Sequence, residues 1–176
     1  MALLEAYEDD VEVNGQTILS VTEGASVMGE KILKEAGIED PQPDRWYPQQ
    51  DWLNAFKKIK EKSGDITLKQ IGKKVPENAE WPPEIETVED ALESIDKAYH
   101  QNHRNGKIGH YELEKTGDNK AKMVCTNPYP DQFDLGLIEA TAKKFAERKA
   151  RVNVEVNSEQ PRREEGSDST TYLITW

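Results

Sequence analysis

Two alternating stretches, Lys107–Lys115 and Ala121–Thr126, are separated only by Thr116-Gly117-Asp118-Asn119. So short a connection can join only antiparallel strands, because a parallel crossover needs a dozen or more residues. Gly109, Tyr111 and Leu113 share one face of the first stretch, and His110 and Glu112 share the other. In the second stretch Cys125 falls in phase with Met123, which marks it as a small core residue. Two more alternating runs follow: Val152, Val154 and Val156, then Tyr172, Ile174 and Trp176. A further hairpin is expected over 11–21, where Asn14-Gly15 suits a type I′ turn.

Helical stripes lie between these strands. Helices are expected from Ser26 to Ala36, from Gln49 to Lys62 and, briefly, from Thr67 to Lys73. Trp52, Leu53, Phe56 and Ile59 form one apolar stripe, and Gly64 stops that helix. Residues 40–48 and 75–83 are rich in proline and read as loops. Thr87 caps a helix reaching His100, with Asp90 placed for a capping box. A last helix is expected from Asp131 to Lys149. Its acids Asp131, Asp134 and Glu139 suit a helix start. The class is therefore α+β: an antiparallel sheet built from hairpins and packed with several helices. No linker divides it, so residues 1–176 read as a single domain. It has an acidic segment at 1–40, a helical part at 49–100 and a sheet-rich part at 107–176.

Charge and composition limit the function. The 176 residues carry a net charge of −11. Residues 1–40 hold ten acids and two lysines, so −8 of that charge is concentrated there. Bulk acidity argues against nucleic acid, since phosphate is repelled. No run approaches about 18 apolar residues, so no membrane span is expected. One cysteine cannot form a disulfide within the chain, and the first residues lack a basic leader, so a cytoplasmic location is expected.

The chemistry-bearing residues cluster. His100, His103 and His110 lie within eleven positions, and three imidazoles are a set that can bind zinc, copper or iron. Histidine at a helix C-terminus is also favoured by the macrodipole alone. Arg104 could hold a carboxylate or phosphate. Trp46 and Trp52 sit by proline loops and could line an apolar pocket. No G-x-S-x-G, Walker A, H-E-x-x-H or EF-hand pattern is present, which argues against an enzyme.

The block Cys125–Glu139, CTNPYPDQFDLGLIE, with the closing Arg162–Trp176, RREEGSDSTTYLITW, resembles small-molecule-sensing domains of the 4-vinyl-reductase type. Their fold is compared with haem nitric-oxide-binding domains. The resemblance spans about residues 99–176 and implies a sensory domain, often dimeric. Cysteines expected near Gln132, Thr170 and Arg162 are missing, so thiol-based metal or redox work is not implied. The Tyr-x-Ser-x-Arg pattern of the haem relatives is also missing after Tyr99, which speaks against haem.

The expectation is a non-enzymatic ligand-binding or sensory domain for a small apolar or amphipathic molecule. Tyr99, His100, His103, Arg104, His110, Cys125, Trp46 and Trp52 are its candidate contacts. Partners would be that ligand and either a second copy or a separate signalling chain. One alternative is a metal- or haem-binding protein, or a metal-dependent enzyme, on the His100/His103/His110 cluster. Another is an interaction module using the acidic first segment.

Overall fold

The computed structural model describes residues 3–22 and 27–176. In chain order the elements are β1 (Glu12–Asn14), α1 (Gly15–Thr22), α2 (Val27–Glu35), β2 (Trp46–Pro48), α3 (Gln49–Asn78) and α4 (Val88–Gln101). Then come β3 (His103–Arg104), β4 (His110–Gly117), β5 (Lys120–Thr126), α5 (Asp131–Phe145), β6 (Asn153–Val156) and β7 (Thr170–Thr175). The expected α+β class is what forms, with two antiparallel sheets. One has the order β2-β1-β3 and the other β4-β5-β7-β6.

The hairpin expected at Asn14-Gly15 does not form. Asn14 ends β1, and its side chain accepts from the Thr17 backbone N–H at 2.8 Å, capping α1. Asparagine serves a hairpin turn and a helix N-cap equally well, and here Gly15 opens a helix. The segment 40–48 is not wholly loop: Trp46–Pro48 pairs with β1 at its end. Ser26, the expected start of the second helix, lies outside the described residues. Ile32, Leu33 and Ala36 of that stretch are buried as the stripe requires, and Gly37 follows with φ 98°.

Gly64, expected to stop a helix, instead kinks α3 with φ 76° and ψ −177°. The helix then runs on to Asn78, past the expected end at Lys73 and through Pro76. Pro76 sits near the helix end, where one lost backbone bond is tolerable. The Thr87–Asp90 capping box of α4 is present in both directions. The helix expected to reach Lys149 ends at Phe145.

The sequence FDLGLIEAT is apolar around most of its circumference, and such a helix must be enclosed. Accordingly α5 packs against α3, α4 and β6, and Phe133, Leu135, Leu137, Ile138 and Ala142 are all buried. The crossing of α3 and α5 is close because both helices bring a glycine to it. A Cβ on Gly72 would lie 2.0 Å from the Phe133 carbonyl oxygen, and one on Gly136 would lie 2.1 Å from that of Lys69. On the large sheet, Tyr111, Met123, Cys125, Tyr172 and Ile174 point inward.

Candidate functional site

A cavity of about 350 Å³ opens between α4, α5, the last turn of α3 and the connection at 79–85. That volume lies within the range of small-molecule sites, roughly 300–1,000 Å³. Trp52, Trp81, Ile95, Phe133 and Leu137 give it apolar walls, and Tyr99, His103, Tyr111 and Tyr129 supply polar atoms. Trp81 is held in place by donating to the Pro76 carbonyl at 3.0 Å and by an edge contact with the Phe145 ring at 4.8 Å.

His103 has one defined tautomer. Its Nδ1 faces the Tyr99 carbonyl at 2.8 Å, which can only accept, so Nδ1 carries the proton. Nε2 therefore accepts from the Tyr129 hydroxyl at 2.7 Å. Burial lowers the His103 pKa to about 4, so the ring is neutral at physiological pH. The Tyr99 hydroxyl donates to the Ile108 carbonyl at 2.7 Å. Burial raises the pKa values of Tyr99, Tyr111 and Tyr129, which keeps all three phenols protonated.

Of the candidate contacts, the fold places Tyr99, His103 and Trp52 on the chamber wall. The other five are elsewhere. His100 is exposed on α4, with Nδ1 on the Asp96 carbonyl at 2.9 Å. Arg104 pairs with Glu12 at 2.6 Å and lies 4.3 Å over the half-buried Trp46 ring, on the small sheet. It is therefore unavailable to a chamber ligand. His110 is exposed on the outer side of β4. Cys125 is buried in the sheet, and burial raises its pKa well above the usual thiol value.

The three-histidine metal set is not assembled. One imidazole is buried and hydrogen-bonded at both nitrogens, and the other two face solvent. Among the described residues no group of three or more His, Cys, Asp or Glu could hold a metal.

A second buried polar cluster joins α5 to the loop before β7. The Arg163 guanidinium donates to Asp131 Oδ1 at 2.9 Å, to Asp134 Oδ2 at 2.7 Å and to the Asn127 carbonyl at 2.9 Å. Tyr111 donates to Asp134 Oδ1 at 2.6 Å, and Thr170 donates to Asp131 Oδ1 at 2.7 Å. Burial raises the Asp134 pKa while Arg163 opposes the shift. Asp131 and Asp134 read in sequence as ordinary helix-start acids. Only the three-residue spacing, which turns both to one face, hinted at more. Nothing in the polar run 157–169 singled out Arg163.

No family model matches the chain, and no curated protein matches it. Solved structures do. An H-NOX mutant from T. Tengcongensis is 19% identical, with a TM-score of 0.65 over 92% of this chain and 93% of its own. An H-NOX protein from S. oneidensis, in the Fe(II)NO ligation state, is 10% identical with a TM-score of 0.65, over 92% of this chain and 97% of its own. An Fe(II) unliganded H-NOX mutant from K. algicida is 16% identical with a TM-score of 0.63, over 92% and 95%. The likeness thus extends far beyond residues 99–176. It is to haem-nitric-oxide-type domains, and the comparison with the 4-vinyl-reductase type is not supported. The fold of this chain is the H-NOX fold.

Proposed function

We propose that this chain is a sensory, ligand-binding domain whose ligand occupies the aromatic chamber. The observation that carries this reading is the largely apolar cavity with one neutral imidazole in its wall. Haem is the ligand that the fold suggests, and among the chamber residues His103 is the one that would hold its iron. His103 fits that task in two respects. It is neutral, and its other ring nitrogen is oriented by a backbone carbonyl, as metal-bound histidines usually are. Ligation requires the Tyr129 hydroxyl to release Nε2. When bound, haem would supply an iron able to hold a small gas. Lys97 is the one cation lining the described chamber, so it is the residue to meet a haem carboxylate.

Titration of the purified protein with haem tests this reading. A shifted Soret band at one-to-one stoichiometry is expected. It should be lost in His103→Ala and strengthened in Tyr129→Phe, which leaves Nε2 free. A spectrum unchanged from free haem, or one indifferent to His103→Ala, would overturn the haem assignment.

A second reading is favoured by the hydrogen bonding as it stands. With the Tyr129–His103 bond intact, Nε2 is not free to hold a metal, and the chamber would take a small organic molecule instead. Retention of an organic molecule by the freshly purified protein, detected by native mass spectrometry, would support it.

A further inference from the structure

The connection from β6 to β7, residues 157–169, is polar, and among these described residues Arg163 alone is buried. The segment is docked by that one side chain, which reaches Asp131 and Asp134 of α5. The Arg163 backbone N–H donates to Thr170 Oγ1 at 2.9 Å, and nearer the surface Glu164 pairs with Lys60 of α3. A segment with so little buried surface opens locally at far less cost than global unfolding. Docked and released are therefore two discrete arrangements of 157–169.

The latch is continuous with the chamber wall. Tyr111 lines the chamber, and its hydroxyl donates to Asp134 Oδ1 at 2.6 Å, while Arg163 donates to Oδ2 of the same carboxylate at 2.7 Å. Tyr129 also lines the chamber. Its backbone N–H donates to Asn127 Oδ1 at 2.9 Å, and Arg163 donates to the Asn127 carbonyl at 2.9 Å. Phe133, a third chamber residue, lies on α5 between Asp131 and Asp134. A guest packed against these three residues fixes the groups that hold Arg163.

We propose that residues 157–169 are a reporter segment, latched by Arg163, whose docking is strengthened by a guest in the chamber through Tyr111 and Tyr129. This rests on the chamber being the ligand site. A guest that binds the docked form more tightly shifts the segment toward docking by the same factor. With one hydrogen bond's worth of coupling, that factor is about fivefold.

Hydrogen–deuterium exchange of the full chain, alone, with haem and with 8-anilinonaphthalene-1-sulfonate, provides the test. A probe seated in the chamber should slow exchange over 79–101, which lines it. The same probe should slow exchange over 157–169 about fivefold and leave the β4–β5 turn at 117–120 unchanged. Tyr111→Phe keeps the ring in the wall and removes the hydroxyl. It should keep the protection of 79–101 and reduce that of 157–169 to less than about twofold. Protection of 79–101 without any at 157–169 in the wild type, or protection of 157–169 undiminished in Tyr111→Phe, would overturn the coupling and leave the chamber standing. Protection of neither segment by either probe would overturn the chamber as the ligand site, and the reporter segment with it.

Discussion

Arg163→Met replaces the guanidinium enclosed with Asp131 and Asp134 by an apolar chain of similar length. Arg163 is 4% exposed and both carboxylates are fully buried. The substitution strips charged hydrogen bonds from Asp131, Asp134 and the Asn127 carbonyl. Removing one partner from a buried ion pair costs about 3–5 kcal/mol, because the remaining charge has no water to solvate it. For a chain of this size that is a fall in melting temperature of about 6–20 °C.

The deficit should depend on pH. Burial already raises the Asp134 pKa, and Arg163 holds it back, so the variant raises it further. A carboxyl whose folded pKa is raised stabilises the fold below its unfolded pKa, and that stability is lost as pH rises through the folded value. The gap between variant and wild type is therefore widest near neutrality and narrows toward about pH 4. Asp134→Asn in the Arg163→Met background should recover part of the loss. Urea melts at several pH values provide the assay. A gap below about 1 kcal/mol at neutral pH, or one that does not change with pH, would refute the account.

Other outcomes can be checked alongside. His103 has its pKa lowered to about 4 by burial, so its contribution to stability is lost as pH falls from about 6.5 through about 4. This loss is about 3 kcal/mol, and a His103→Asn variant should show a correspondingly flatter stability profile in that window. Gly72→Ala and Gly136→Ala each drive a methyl into a backbone carbonyl and should cost about 1–3 kcal/mol or more in denaturant melts. Cys125 should resist thiol reagents in the folded protein and react only on unfolding, because its thiol is buried and protonated. Thr87→Ala should cost about 1 kcal/mol through loss of the α4 cap.

Elements with a local chemical signature could be read in the sequence. The capping box of α4 and the inward phase of Tyr111, Met123, Cys125 and Tyr172 all come from side-chain spacing. Where one residue type serves two local structures, the reading failed. Asn14 caps a helix where a hairpin turn was equally plausible, and Gly64 bends a helix where it could have ended one. At the candidate site, the histidine cluster was legible in the sequence, but which of His100, His103 and His110 faces the core was not, since that depends on how α4 meets β4. Arg163 gave no signal at all. Its significance comes from carboxylates 29 and 32 positions away in the chain, which only the closed fold brings together.

The paired glycines at the α3–α5 crossing also decide how the chamber can change shape. Val75 and Pro76 of α3 line the chamber, as do Phe133 and Leu137 of α5, and two backbones seated against each other leave no side chains between them to repack. That side of the chamber acts as an anvil. A bulkier guest must then be accommodated by the opposite jaw, α4 with the Trp81 connection, and that connection is held to α3 and α5 by the tryptophan hydrogen bond and the ring contact with Phe145. Occupancy would thus be converted into displacement of one defined piece of the molecule, the piece that leads directly into β3 and the small sheet.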